Sequence, residues 1–122
     1  GFFRFLHEFG EHSGSIYYLV TEDSFSHLHT LTDDELWFFL DGDEAEQVII
    51  DENGVIEKRV LNKENRDSLV PKNKFQATRI KKSESRYSLF STIRSPKYRD
   101  DMYFSGKDDE RIKSIKEVED LI

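Results

Sequence analysis

Two histidines stand one residue apart in the stretch FSHLHTLTDDELWFFLDGD, and a glutamate and a tryptophan follow them. In a β-strand, residues two apart point to the same face, so His27 and His29 would share one face, as would Glu35 and Trp37 on the next strand. If the two strands pair as a hairpin, the imidazoles and the carboxylate converge. Two imidazoles and one carboxylate are common ligands of zinc, iron, manganese or nickel. The stretch is therefore either a metal or acid–base site, or an apolar strand with polar neighbours.

The composition limits the classes of protein to which the chain could belong. Its 122 residues are the size of one domain with one core. Lysine and arginine number 18 against 25 acidic residues, giving a formal net charge of −7, so we expect no nucleic acid and no membrane partner. The chain has no cysteine, and its apolar runs are far shorter than the ~20 residues of a membrane span. We therefore expect a soluble, cytoplasmic protein.

Short hydrophobic runs, rich in aromatic and β-branched residues and separated by turn residues, predict an all-β fold. Their spacing is typical of sandwiches and barrels, and Asn53-Gly54 between two of the runs is a strong hairpin signal. A polar turn is predicted at residues 81–84. The predicted strands lie near residues 2–8, 15–20, 25–29, 35–40, 46–51, 55–61, 67–70, 75–80, 86–93 and 98–104.

The pattern changes in the last segment of the chain, KDDERIKSIKEVEDLI. Acidic residues open this segment, where they favour the positive end of a helix dipole. The apolar residues recur every three or four positions, at Ile112, Ile115, Val118, and Leu121 or Ile122. We predict an amphipathic helix over residues 107–122, packed on the barrel or on a partner subunit. It would belong to the same domain as the β-barrel of residues 1–106.

Two motifs in the chain resemble those of the cupin superfamily. After the histidines and Glu35, six residues precede Gly42, and about thirty residues later VPKNKFQATRI supplies a proline, a turn residue at Asn73 and a third ligand position at Gln76. The segments GFFRF, SFSHLH, DDELWFFLDGD and LVPKNKFQATRI resemble a small cupin family often called Cupin-5, a domain of unknown function related in fold to the metal-independent dTDP-sugar epimerases. The resemblance covers residues 1 to about 94. It implies a cupin barrel, which is a double-stranded β-helix or jelly roll.

The resemblance carries site residues over position by position. His29, Glu35 and Trp37 match positions that the small family fills with the same residue types, whereas His27 matches only the first metal ligand of the wider superfamily. Gln76 takes the position of the third metal histidine, and an amide is a poorer ligand for most transition metals than imidazole. A divalent metal would be held by His27, His29, Glu35 and Gln76. A pocket without a metal or other cofactor is favoured.

A metal-free pocket would place polar groups beside an aromatic wall. Gln76 and Thr78 share one strand face, as do Glu35, Trp37 and Phe39. Aromatic faces with a few amide and carboxylate groups suit a sugar or another small polar ring. These residues are therefore the candidate ligand contacts.

Three further residues complete the predicted site. His29 next to Glu35 could act as a general base oriented by the carboxylate, with Tyr18 or Tyr87 as the acid. Arg4 lies in the family's N-terminal motif and could bind an anionic group of the ligand, although a surface ion pair would explain it equally well.

The sequence leaves open whether the protein is an enzyme. It could be an isomerase or epimerase acting on a small, sugar-like substrate with His29 as base, a module that binds the same ligand without turnover, or a metal-dependent cupin enzyme. The resemblance and the aromatic segment GFFRFLHEF, an edge that would be exposed in a monomer, predict a homodimer. GFFR also resembles the end of a proline-glutamate-glycine-glycine segment, so we expect further residues before Gly1 in the natural protein.

Overall fold

The computed structural model describes residues 1–81 and 84–122, and within them ten strands form two antiparallel five-stranded sheets. Lys82 and Ser83 of the predicted polar turn lie outside the described residues. The strands are β1 (Phe2–Phe9), β2 (Ser13–Val20), β3 (Ser26–Leu31), β4 (Glu35–Gly42), β5 (Ala45–Ile50), β6 (Ile56–Leu61), β7 (Asp67–Val70), β8 (Phe75–Ile80), β9 (Ser88–Arg94) and β10 (Tyr103–Ser105).

The strand order places β3 and β4 in different sheets, whereas β1 pairs with β2 and β5 with β6. The first sheet has the order β1-β2-β9-β4-β7 and the second has the order β10-β3-β8-β5-β6. The predicted all-β fold is confirmed, and so is the hairpin of β5 and β6 around Asn53-Gly54. The hairpin considered for β3 and β4 is wrong, because β3 pairs with β8 and β10 while β4 pairs with β7 and β9.

Alternation along the strands builds the core between the sheets. On β4, Glu35, Trp37 and Phe39 are buried while the residues between them are more exposed. Trp37 and Phe39 each meet Phe90 of β9 edge to face, with ring centroids 5.3 and 5.8 Å apart. Ile49 of β5 closes the same cluster from the second sheet. The row of inward residues on β4 therefore starts with a carboxylate and continues as aromatic core.

Gly42 and Asn73 take the left-handed backbone conformations that their motif positions require. Gly42 has a φ of +94°, and a β-carbon there would collide with the backbone oxygen of Tyr87. Asn73 has a φ of 65°, in the region that asparagine tolerates better than most residues. The next residue after Gly42, Asp43, accepts hydrogen bonds from the backbone N–H groups of residues 84–86. The turn before β9 is thereby tied to the end of β4.

The C-terminal segment covers the outer face of the second sheet. Ile112, Val118 and Leu121 are buried there against Leu28, Val48 and other outward-facing residues of β3, β5 and β8. This cover explains why β5 is apolar on both faces.

The prediction of one amphipathic helix over residues 107–122 is wrong in its geometry. The segment contains a 3₁₀ turn at Gly106–Asp108, a one-turn helix α1 (Glu110–Lys113) capped by Asp109, and a 3₁₀ helix at Lys116–Leu121. The buried positions recur every three residues, which matches the three residues per turn of a 3₁₀ helix better than an α-helix. No helix among the described residues is both long and apolar enough to cross a membrane.

Because this segment covers the second sheet, shortening one of its buried side chains should lower the stability of the protein substantially. Leu121→Ala should lower the free energy of unfolding by about 2–5 kcal/mol, because it empties a buried leucine site between the segment and the sheet. Urea denaturation followed by fluorescence measures this. Glu117→Ala, an exposed change in the same 3₁₀ helix, is the matched control and should stay within about 0.5 kcal/mol of the wild type. Equal stabilities for the two variants would contradict the covering role.

Candidate functional site

A cavity of about 580 Å³ opens at the end of the barrel where β4 begins. Its wall combines both sheets and the segment that joins β9 to β10. Aromatic side chains and a few charged ones make up most of the wall. The lining side chains that could bind a ligand or transfer a proton are those of His27, His29, Glu35, Trp37, Tyr18, Tyr98, Tyr103, Arg94, Lys97 and Arg99.

The Glu35 carboxylate is the most buried charge in this wall, at 3% exposure. Its Oε1 accepts hydrogen bonds from Trp37 Nε1 at 3.0 Å and from Gln76 Nε2 at 3.2 Å. Trp37 Nε1 also lies 3.1 Å from Gln76 Oε1, which makes its hydrogen bond bifurcated. The carboxylate, the indole and the amide therefore form one polar cluster that joins the two sheets.

Arg94 neutralises this carboxylate from the neighbouring strand. It lies directly opposite Glu35 in the register of β4 with β9, and its Nη2 donates to Glu35 Oε2 at 2.6 Å. The guanidinium also lies 4.7 Å above the centre of the Tyr98 ring. A close, partly buried ion pair with arginine offsets the free energy that the carboxylate loses when it is removed from water.

His29 is fixed as a neutral imidazole with a defined tautomer. Its Nδ1 lies 2.7 Å from the backbone oxygen of His27, which can only accept, so Nδ1 carries the proton and Nε2 carries the lone pair. Burial lowers the pKa of His29 from its ordinary value. The ring stacks on Tyr103 with centroids 4.9 Å apart. The orienting group is thus a backbone carbonyl, whereas the sequence pointed to the Glu35 carboxylate.

A β-bulge separates the two histidines. Ser26 and His29 face Thr78 and Gln76 of β8, so three steps on β3 span two on its partner. His27 is consequently exposed and stacks on Phe25 at the edge of the cavity, while His29 is buried. Both histidines line the cavity, as expected, but the bulge interrupts the alternation and leaves them unequally buried.

Tyrosines supply the hydroxyl groups of the cavity. Tyr18 lines it and meets Trp37 edge to face at 5.5 Å. Burial raises the pKa of Tyr18, and burial likewise raises the pKa of Tyr103. Both phenols are therefore protonated donors at neutral pH. Tyr87, the alternative acid, instead donates to Asp41 at 2.7 Å outside the cavity.

Three of the sequence-predicted ligand contacts lie away from the cavity. Phe39 is in the aromatic core. The Thr78 hydroxyl accepts from Gln47 Nε2 at 3.0 Å in a buried polar cluster one step further along the barrel. Arg4 is exposed on β1, opposite Tyr17. Gln76 is fully buried and reaches the site through its bonds to Trp37 and Glu35.

The residues proposed to hold a metal do not fit a divalent ion. Both oxygens of Glu35 already accept hydrogen bonds, and one of them lies 2.6 Å from the Arg94 guanidinium. A metal bound to this carboxylate would be repelled by the guanidinium that already pairs with the same carboxylate. His27 is exposed and stacked on Phe25, whereas His29 is buried. Within the described part of the chain, no three histidine, aspartate or glutamate side chains group as ligands.

Arg94, Lys97, Tyr98, Arg99 and Tyr103 line the cavity without having been predicted from the sequence, and Arg94 is the one that contacts Glu35. The signal was present, because Phe90, Thr92 and Arg94 alternate along β9 and all lie on its inward face. An arginine at the end of an inward row should have been recognised as a cavity residue. Its pairing with Glu35 depends on which strands are neighbours in the sheet, and the sequence alone did not predict that order.

Comparison with known proteins agrees with the fold. A family profile described as Cupin superfamily (DUF985) matches residues 7–103. A hypothetical protein from Leishmania major has a TM-score of 0.87 at 18% identity, covering 99% of this chain and 88% of that one. A protein from Shewanella oneidensis has a TM-score of 0.78 at 26% identity, with coverages of 88% and 75%.

A more distant likeness is to an enzyme. Oxalate decarboxylase from Bacillus subtilis has a TM-score of 0.67 at 14% identity, covering 78% of this chain and 24% of the enzyme. No curated protein matches the chain. The predicted cupin fold is confirmed, and the relation to epimerases stays a prediction.

The lowered pKa of His29 predicts an acid-sensitive stability. Below the ordinary histidine pKa of 6.5 the unfolded chain binds a proton that the folded chain does not, so the free energy of unfolding should fall as the pH drops through this range. The slope from one such proton is at most about 1.4 kcal/mol per pH unit. Urea denaturation at pH 7.5, 6.0 and 5.0 measures it.

His29→Asn should flatten this slope, because the asparagine amide can still donate to the His27 carbonyl but does not titrate. His12→Asn, which changes an exposed histidine, should leave the slope as in the wild type. An identical pH dependence in His29→Asn and the wild type would show that His29 does not carry the effect.

Proposed function

The chain belongs to the cupin superfamily, in the family described as DUF985, and on this premise we propose that its cavity binds a small polar, sugar-like ligand on which His29 acts as the general base of an isomerase or epimerase. One observation carries the proposal. His29 is a neutral imidazole whose Nδ1 is held by a backbone carbonyl, which leaves the basic Nε2 for a ligand in the cavity that His29 lines.

The protonation state of His29 suits a base at neutral pH. Because burial lowers its pKa, the imidazole stays unprotonated under conditions where an exposed histidine would be partly charged. A base must also stay within reach of its proton. Stacking on Tyr103 and the bond to the His27 carbonyl restrict the ring on two sides.

The proposed reaction moves one proton away from a carbon next to a carbonyl group. His29 Nε2 accepts this proton, the electron pair of the broken C–H bond forms a carbon–carbon double bond, and the π pair of the carbonyl group moves onto its oxygen. The Tyr18 hydroxyl then protonates the same carbon, and the carbonyl forms again. Protonation from the opposite face gives the epimer. His29 finally releases its proton to solvent, and the Tyr18 phenolate takes one up from solvent.

The wall of the cavity supports a ligand of this kind. Trp37, Tyr18 and Tyr103 offer aromatic surfaces, and sugar rings pack well against such surfaces. Glu35 and Gln76 hold the Trp37 indole in place. We also propose that the site works without a resident metal, since Arg94 already neutralises Glu35, and that the protein is cytoplasmic, because the chain has no cysteine.

Proton abstraction can be tested without knowing the substrate. The protein is incubated in D₂O with a panel of aldoses, ketoses and 2-oxo acids, and ¹H NMR follows the loss of the C–H signal next to each carbonyl. We expect deuterium incorporation into at least one class of compound by the wild type, reduced about 100-fold or more in His29→Asn.

His12→Asn is the matched control and should exchange at the wild-type rate. Saturable binding of a panel member without any exchange would favour the non-catalytic binding module and reject His29 as a base. Exchange that persists in His29→Asn would assign the base to another residue.

We further propose a homodimer formed through the β1 edge. Phe2, Phe3, Phe5 and Phe9 are each more than half exposed on β1, the terminal strand of the first sheet. A strand edge leaves backbone donors and acceptors unpaired, and an identical antiparallel strand from a second copy can satisfy them about a twofold axis. A second copy would also remove these phenyl rings from water.

Light scattering coupled to size exclusion tests the dimer. The wild type should elute with twice the chain mass of 14.4 kDa at tens of micromolar, and Phe2→Glu combined with Phe9→Glu should give a monomer. Val55→Glu, an equally exposed apolar position at the turn between β5 and β6, should remain dimeric. A wild-type monomer at that concentration would reject the proposal.

A further inference from the structure

Arg94 offers the cavity hydrogen-bond donors that its own ion pair does not use. A guanidinium has five N–H donors, and one nitrogen of Arg94, Nη2, is bonded to Glu35 Oε2. Within the described part of the chain, Nε and Nη1 have no hydrogen-bond partner. The side chain is only 12% exposed and lines the cavity.

These donors belong to a side chain that lines the cavity. In the described residues, Thr30 Oγ1 is the one buried side-chain polar atom without a partner, so the unbonded nitrogens of Arg94 are accessible. The ring of Tyr98 covers one face of the guanidinium, which fixes its plane. A fixed, largely buried cation with free donors suits an oxygen acceptor on a ligand.

The charge of the lining limits the anion to a single charge. Arg94, Lys97 and Arg99 contribute three positive charges, and Glu8, Glu35 and Asp100 contribute three negative charges. Lys97 and Arg99 also pair with carboxylates at the surface, at 3.4 and 3.2 Å. A balanced lining gives no excess of positive charge for a dianion such as phosphate. A planar carboxylate matches the fork of one arginine and adds one charge only.

We propose that Arg94 anchors the ligand by its carboxylate and that the ligands of this cavity are small hydroxy acids, including sugar acids. The carboxylate accepts from the N–H donors that Glu35 leaves unpaired, and the C–H group next to the carboxylate lies beside His29 Nε2, which takes its proton in the proposed reaction. This inference rests on the proposed function and names the class of its ligand. It transfers the anion-binding role expected of Arg4 to Arg94.

The single tryptophan of the chain reports on the site directly. Trp37 lines the cavity and its indole bonds to Glu35 and Gln76, so a ligand on Arg94 should change its fluorescence. The probes are two pairs that differ in one carboxylate: gluconate against glucose, and glycolate against glycolamide. Inorganic phosphate is the third arm, and sodium chloride holds the ionic strength constant.

We expect both carboxylates to bind saturably and at least about tenfold more tightly than their neutral partners, the difference expected for one charge-assisted hydrogen bond. Arg94→Lys keeps the charge that pairs with Glu35 but loses the planar fork, and should weaken gluconate about tenfold. Arg79→Lys alters an arginine paired with Glu46 and Asp120 outside the cavity, and should bind like the wild type.

A second variant controls for the possibility that a change at Arg94 alone destabilises the fold. Arg94→Gln combined with Glu35→Gln removes both charges of the pair, so no buried carboxylate is left alone, and it should bind gluconate no better than glucose. Equal binding of gluconate and glucose by the wild type would reject Arg94 as anchor while leaving a sugar-binding cavity. Phosphate binding more tightly than the carboxylates would also overturn the inference. A lack of response to every probe would overturn it together with the proposed ligand class.

Discussion

The buried carboxylate of Glu35 is the constraint around which this end of the barrel is organised. A charge removed from water costs several kcal/mol unless it is paired and hydrogen-bonded, and a carboxylate offers several acceptor sites to satisfy. Glu35 obtains its donors from Trp37 on its own strand, Arg94 on the neighbouring strand and Gln76 on the opposite sheet. The same cluster therefore sets the strand register and the distance between the sheets.

Because Glu35 holds this cluster together, its carboxylate has few other roles open to it. A carboxylate bonded to an arginine, an indole and an amide is poorly placed to orient an imidazole or to bind a metal. The orientation of His29 comes instead from the His27 carbonyl, which the bulge in β3 brings to 2.7 Å from Nδ1. A backbone carbonyl cannot take up a proton, so the tautomer of His29 is fixed more firmly than a carboxylate partner would fix it.

Features that depend on the local residue pattern could be predicted from the sequence, whereas features that depend on which strands pair could not. Alternation along β4 correctly placed Glu35, Trp37 and Phe39 on one face, and the left-handed position of Asn73 was anticipated. The bulge between His27 and His29 has no signature in residue type. The partner strand that carries Arg94, β9, begins more than forty residues after the end of β4, so the ion pair could not be predicted without the fold. The spacing of apolar residues after residue 107 was read as α-helical although its period of three suits a 3₁₀ helix.

The barrel contains a second polar cluster, which differs from the first in its position relative to the cavity. The side chains of Gln47, Ser68 and Thr78 join the two sheets further inside the barrel. Arg59 donates a hydrogen bond of 2.8 Å to the Ser68 hydroxyl. Each of these side chains has a hydrogen-bond partner and none of them lines the cavity described above, so this cluster contributes to the stability of the barrel. Around Glu35 the pairing is incomplete in two places, at His29 Nε2 and at the free nitrogens of Arg94. Both groups belong to side chains that line the same 580 Å³ of space, which is why the proposed ligand is one that can meet His29 and Arg94 together.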